Sequence, residues 1–258
     1  MTPFTLKQKL AGNRLTVGSW VTLAHPAVAE IMARAGFDWL AVDLEHSVIT
    51  IREAEELIRV IDLHGVPPLV RLTGNNADQI KRVMDAGAHG VIVPMVNSRA
   101  DAERAVASVY YPPRGRRGVG LARAQGYGSA FADYRIWLEK EAVVIVQIEH
   151  IDAVDGLEAI LDTHGVDGFI VGLYDLSASM GIPGQFDDPR LVQAIEHVRA
   201  MALVKTKPGG LHVVEPVPDQ LREHAARGFR FLAYSLDTRM LDTACRHGLA
   251  ECRRGVPE

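Results

Sequence analysis

Cysteine is scarce in this 258-residue chain: only Cys245 and Cys252 occur, seven residues apart near its end. Two thiols so placed make neither a disulfide framework nor a zinc or redox motif, and they suit a reducing compartment. Lysine is scarce as well. The six are Lys7, Lys9, Lys81, Lys140, Lys205 and Lys207, and none stands at the carboxyl end of an apolar run. A Schiff-base mechanism needs a lysine inside the site, so this chain does not offer one. No apolar run approaches the ~20 residues of a membrane span. The opening MTPFTLKQKLAGNRL lacks the continuous apolar core of a signal peptide. Positive charge is never massed as nucleic-acid binding would require. Arg114, Arg116 and Arg117 lie in a Gly/Pro-rich stretch, read better as anion contacts or inter-subunit salt bridges, and sit in a chain of formal net charge −4. These absences exclude membrane, nucleic-acid and disulfide-scaffold classes and place the chain in the cytoplasm.

What is there is a regular alternation. Runs rich in Val and Ile predict strands over 16–23, 38–44, 67–73, 90–96, 142–149, 168–174, 209–214 and 229–236, with helical stretches between. IREAEELIRVIDLHG sets Ile51, Leu57, Ile58 and Ile61 on one stripe and stops at Gly65. NADQIKRVMDAGA opens on Asn76 as an N-cap. Eight strands with helical crossovers in one 258-residue unit is the count of a (β/α)8 TIM barrel, a single domain. A doubly wound open sheet is the runner-up, disfavoured because no Gly-rich dinucleotide fingerprint follows the first strand. The longest break in the alternation, residues 110–128, would reach over the barrel mouth or across to another subunit.

Polar residues recur where apolar runs end. AVVIVQIE ends in Glu149 and GFIVGLYD in Asp175. WLAVDLEH ends in Asp43, Glu45 and His46, and PPLVRLT carries Arg71. In a β/α barrel the carboxyl ends of the strands are the face that carries chemistry. Glu149 and Asp175 end consecutive strands, so they suit a hard divalent cation. Each acid could equally cap the following helix or pair with an arginine. Without a Schiff-base lysine, carbanion chemistry would need a metal as its electron sink. A 2-oxo acid can chelate such an ion through its carboxylate and keto oxygens. Arg71 could clamp a substrate carboxylate, and an imidazole such as that of His46 moves protons near neutral pH. Asp43, three residues before His46, could orient it. The other histidines lack such context, except that His212 on the seventh run is a candidate for lining the site.

These segments carry a family resemblance. DLEHS (Asp43 to Ser47), LVRLTGNNADQIKRVMDAGAHGVIVPMV (Leu69 to Val96), YPPRGRRGVGLARA (Tyr111 to Ala124), VQIEH (Val146 to His150) and VDGFIVGLYDLSASMG (Val166 to Gly181) resemble, in order and spacing, the class II pyruvate aldolases. That family includes the 4-hydroxy-2-oxoheptanedioate and 2-keto-3-deoxyglucarate aldolases. The resemblance implies a divalent-metal-dependent aldolase that reversibly cleaves a 4-hydroxy-2-oxo acid to pyruvate and an aldehyde through a metal-stabilised enolate. It implies that Glu149 and Asp175 bind Mg²⁺, Mn²⁺ or Co²⁺. His46 matches the catalytic base, acting with Asp43 through a metal-bound water. Arg71 matches the residue that binds the pyruvyl group. Asp85 matches an acid supporting the water shell of the metal, and Glu45 an acid standing behind the ligands. The family also implies a homohexamer, a trimer of dimers with exchanged C-terminal helices.

Departures from the family pattern fall around the substrate pocket. Leu173-Tyr174 stands where Pro-Ala is common before the metal-binding Asp175, LHVVEP lacks the usual small and amide residues, and Tyr234-Ser235 replaces a more common Val-Gly. Leu173, Tyr174 and Asp175 are therefore substrate-binding candidates, with Tyr174 either lining the site or packing outward. The alternatives are a citrate-lyase-like or other carbon–carbon lyase on the same barrel, a phosphosugar isomerase, and a barrel that only binds keto acids. The isomerase would want a Gly-rich phosphate cradle after strands seven and eight, where HVVEP and YSLDT stand instead.

Overall fold

The computed structural model describes residues 4–254. Its strands are β1 (Thr16–Val21), β2 (Trp39–Asp43), β3 (Pro68–Arg71), β4 (Gly90–Val93), β5 (Val143–Ile148), β6 (Gly168–Val171), β7 (Gly209–Val213) and β8 (Phe231–Leu236). Each pairs in parallel with the next, and β8 pairs with β1, so the sheet is closed. The (β/α)8 expectation holds and the open sheet does not. Closure satisfies the backbone of every strand, and the strand faces are apolar on both sides because helices cover the outside.

Local signals set the helices. Thr50 and Glu53 form a capping box at the start of Ile51–Leu63, which buries Ala54, Leu57, Ile58 and Ile61. Asn76 accepts from the amides of Asp78 and Gln79 to start Ala77–Asp85. Each fully buried aliphatic side chain of this kind contributes roughly 1.5–3 kcal/mol, so the outer layer is held by its apolar stripes.

Inside the barrel, the pairing registers set inward residues from alternate strands at common levels. The lowest complete level holds Trp39, Gly90, Gly168 and Phe231, and the next Gly18, Leu69, Ile145 and Gly210. Above them come Ala41, Ile92, Ile170 and Ala233. Trp39 and Phe231 stack with centroids 4.3 Å apart. The stack fits because Gly18 and Gly210 carry no Cβ: one at Gly18 would overlap the Trp39 ring, and one at Gly210 the backbone of Phe231. Leu6 and Leu10, from the helix Leu6–Ala11, pack into this interior from the amino-terminal end. The fourth level is Trp20, Arg71, Gln147 and His212. Apolar filling gives way to polar groups within one step along the strands.

Seven of the eight strands stop sooner than the apolar runs suggest, the fourth by three residues and so too the sixth. The sixth ends at Val171, and Gly172 starts the helix Leu173–Ser179. Leu173, Tyr174 and Asp175 are thus in a first helical turn, where the two-residue alternation of a strand does not apply. The stretch 110–128 does not cover its own barrel mouth. Arg123 pairs with Asp62 and donates to the Ala86 carbonyl, while Arg114 pairs with Glu139. Arg117 is buried, donating to the Tyr134 hydroxyl (2.7 Å) and the Val109 carbonyl (3.0 Å) with its guanidinium over the Tyr111 ring. Those anchors hold the segment against helices at the side and base of the barrel.

Candidate functional site

A cavity of about 660 Å³ opens at the carboxyl ends of the strands. Its floor is the fourth level of the barrel: Trp20, Arg71, Gln147 and His212 all line it. Asp43, His46, Leu173, Tyr174 and Asp175 line it as well. Residues read from separate runs of the sequence therefore meet at one opening.

Asp43 ends β2 and is 1% exposed. Its register partner on β3 is Arg71, and the two form a bidentate pair: Arg71 Nε donates to Oδ1 at 2.8 Å and Nη2 to Oδ2 at 2.6 Å. Oδ1 also accepts from the amides of Glu45 (3.0 Å) and His46 (3.3 Å). Among the described residues, the Asp43 carboxylate thus holds Arg71 and the backbone of the 44–47 turn and makes no direct bond to the His46 ring. The imidazole is 61% exposed at the rim, and its Nε2 lies 3.9 Å from Glu45 Oε2. Among the described residues, Arg71 Nη1 makes no protein hydrogen bond. The guanidinium is fixed on its other edge by Asp43 and from the side by the Trp20 ring, 4.3 Å away.

Carboxylates gather around Gln147, and one of them, Glu45, lies 3.5 Å from Arg71 Nε. Glu149 follows β5 and is 2% exposed. It accepts from the Met95 amide at 2.7 Å and from Gln147 Nε2, which also donates to Glu45 at 3.3 Å. Met95 has a φ of +52°, a left-handed conformation that costs a non-glycine residue free energy. In that conformation its N–H points at Glu149. Burial pushes the Glu149 carboxyl up; the hydrogen bonds from Gln147 and Met95 oppose this, and the charges of Glu45 and Asp175 add to it. Glu45 is raised in the same way, by burial first, against the pull of Arg71 and with repulsion from Asp43 and Asp175. The charges of neighbouring acids thus raise both Glu149 and Glu45, while Arg71 opposes the rise at Glu45.

Burial pushes His212 down to about 4, so it is neutral in ordinary buffers. Its Nε2 lies 3.0 Å from the Ser235 carbonyl. A carbonyl only accepts, so Nε2 carries the proton and Nδ1 keeps a lone pair.

Asp85 is not brought to this cavity. It ends the helix Ala77–Asp85, which runs away from the mouth; the following His89 amide bonds to Pro68 at the start of β3. There Asp85 accepts from Gln125 Nε2 (3.2 Å) and lies 3.8 Å from Arg117, with its carboxyl raised by burial. Trp20, Gln147 and Phe186 line the cavity without having been singled out in the sequence. Trp20 and Gln147 were findable: each stands two residues past an inward apolar or glycine position on an odd-numbered strand.

The donor set suits a hard cation. Glu149 and Asp175 offer carboxylate oxygens, no cysteine among the described residues lines the cavity, and the raised carboxyls of Glu149 and Glu45 are ones that a positive ion would stabilise.

Comparison with known proteins agrees with this geometry. Residues 16–244 match the family model described as HpcH/HpaI aldolase/citrate lyase. The chain is 38% identical over 246 residues to a hydroxypyruvate/pyruvate aldolase of Sagittula stellata, covering 95% of this chain and 96% of that protein. It is 35% identical over 235 residues to a 5-keto-4-deoxy-D-glucarate aldolase of Shigella dysenteriae, covering 91% of each. A crystal structure of an HpcH/HpaI aldolase/citrate lyase family protein from Burkholderia cenocepacia superposes with a TM-score of 0.91 at 33% identity, covering 96% of this chain and 98% of that one.

Proposed function

The chain belongs to the HpcH/HpaI aldolase/citrate lyase family and is a carbon–carbon lyase of the aldolase kind, and we propose that it reversibly cleaves a 4-hydroxy-2-oxo acid to pyruvate and an aldehyde. One observation carries this reading. A single guanidinium, fixed on one edge and free on the other, lines one cavity with Asp175, and the buried Glu149 lies close enough to Asp175 and Glu45 for their charges to raise its carboxyl. The chain supplies both an anchor for a carboxylate and donors for a cation.

Glu149 and Asp175 would hold a divalent ion (Mg²⁺, Mn²⁺ or Co²⁺). When bound, it supplies a Lewis acid for the oxygens of a 2-oxo acid and stabilises negative charge developing at C3. Arg71 binds and orients the substrate carboxylate through its free edge, while Asp43 keeps the guanidinium from swinging. Trp20 shields the same group from water. His46, at the rim, carries the proton between the aldehyde-side oxygen and solvent, with Glu45 beside it. Gln147 donates to both Glu45 and Glu149 and so fixes the two carboxylates relative to one another.

We also propose a homo-oligomer, a hexamer built as a trimer of dimers with the C-terminal helix exchanged, in the cytoplasm. In support, the helix Asp237–Arg253 buries only Asp237 within its own protomer, Asp85 lies outside its own cavity, and Cys245 and Cys252 are free and exposed. No helix of the described residues is long and apolar enough to cross a membrane.

Pyruvate release, coupled to its reduction, tests the reaction. Chelation should abolish turnover, and Mg²⁺, Mn²⁺ or Co²⁺ should restore it. Glu149→Ala and Asp175→Ala should stay inactive at all metal concentrations while keeping the fold. Full turnover after exhaustive chelation, with metal absent by elemental analysis, would overturn the reading.

A further inference from the structure

The side of the cavity opposite Arg71 has a chemistry of its own. Tyr174, in the first turn of the helix Leu173–Ser179, meets Phe186 edge-on, with ring centroids 4.8 Å apart at 85°. Twelve positions separate them in sequence, and the loop between is built to close the gap. Gly181 and Gly184 adopt φ of +75° and +74°, which turn the chain back as other residues rarely do. The buried Ser177 hydroxyl ties the turn down, accepting from the Gly184 amide (3.0 Å) and donating to the Tyr174 carbonyl (2.7 Å). The aromatic pair is thus held in place. Both rings line the cavity, continuous with Leu173, Val213 and Val214.

Charge on this side is negative or absent. Glu215 lines it and is paired with Arg239, which also engages Asp242. Among the described lining residues, the only Lys or Arg is Arg71, across the barrel and already engaged by Asp43. Burial lowers both His212, to about 4, and His224, which disfavours the charged form of each.

Resting on the aldolase reading, we propose that Tyr174 and Phe186 form an acceptor subsite for an uncharged aldehyde with an aryl or alkyl body, and that the enzyme discriminates against aldehydes bearing a carboxylate. The rings offer apolar surface to such a body. A second carboxylate here would approach Asp175 and Glu215, where the neighbouring Arg239 is already engaged by Glu215 and Asp242, and it would lose its hydration against the two rings.

The test uses the full-length protein supplied with Mn²⁺. Loss of the pyruvate methyl signal in D₂O, followed by NMR without any aldehyde, first reports proton removal at C3. Condensation of pyruvate is then measured with benzaldehyde and butanal against glyoxylate and succinic semialdehyde. The uncharged pair should be favoured by about tenfold or more in kcat/KM, the scale on which apolar pockets discriminate. Phe186→Ala and Tyr174→Ala should each erode that ratio by about threefold or more, while Tyr174→Phe preserves it because the ring and not the hydroxyl makes the subsite. Glu215→Gln should raise use of the acidic aldehydes by roughly threefold or more. Methyl exchange with a wild-type preference for the acidic aldehydes, or a ratio unmoved in both alanine variants, overturns the subsite. Absence of methyl exchange overturns the aldolase reading itself, and the subsite with it.

Discussion

His212 gives the sharpest quantitative test of how the cavity floor is built. Its pKa is about 4 in the folded chain against 6.5 for a free imidazole. The folded value lies below the unfolded one, so between these limits the unfolded chain binds more protons. Stability attached to this group is complete above pH 6.5 and is lost as pH falls toward 4. Integrating between pH 7.5 and pH 5 gives a loss of about 2 kcal/mol from this residue alone. For a domain of this size that is a fall of about 4–8 °C in Tm. His212→Gln removes the titration but keeps an amide N–H for the Ser235 carbonyl. Thermal midpoints of wild type and variant, scanned at one rate from pH 7.5 to 5, should therefore converge as pH drops, with wild type losing its advantage. Other titrating groups are common to both proteins and cancel in the difference. Parallel curves would mean that His212 protonates as easily in the fold as outside it, and the fixed neutral imidazole would be wrong.

Three further outcomes follow from the geometry. Arg71→Lys should lower kcat/KM for the oxo acid by roughly 100-fold, chiefly through KM, because an ammonium cannot hold Asp43 and a carboxylate on two edges at once; a change under threefold in kinetics at saturating metal would refute this. His46→Ala should slow turnover by roughly 10²–10⁴ while the metal content by elemental analysis stays at the wild-type level, and loss of the ion would place His46 among its ligands. Gly18→Ala should destabilise the barrel by about 3 kcal/mol or more, read by urea midpoint, because the added methyl lies in the Trp39 ring; a stable variant would show that the lower levels can repack.

The barrel was legible because closure leaves its mark on every strand. VVIVQI and GVIV are apolar on both faces, and only burial between helices and a filled interior calls for that. The strand ends were less legible. The run GFIVGLYD reads as one strand because Leu and Tyr favour burial, yet Gly172 ends it and a helix begins. Composition does not show that change, since the helix continues the apolar run. The same boundary blurred Tyr174: strand alternation left both lining and outward packing open, while a helical turn places it at the opening.

The site was legible in part, and the division has a physical basis. Charged residues at the end of an apolar run, Asp43, Arg71, Glu149 and Asp175, stand out because an ion there needs a reason. Residues that act by placement do not. Trp20 reads as core, and it is 2% exposed, but its ring covers a guanidinium. Gln147 reads as a polar interruption of a buried strand, and only the register shows that it shares a level with Arg71 and His212. Pair partners are the least legible. Asp43 and His46 are three residues apart, yet the carboxylate turns to Arg71, 28 residues away. Parallel pairing sets Asp43 beside Arg71 in the β2–β3 register, and two hydrogen bonds to a guanidinium outweigh one to a ring that reaches solvent. Asp85 carries the same argument further. Its place in the sequence, just before a strand that reaches the site, says nothing about distance, because a crossover helix ends at the far side of the barrel from where it began.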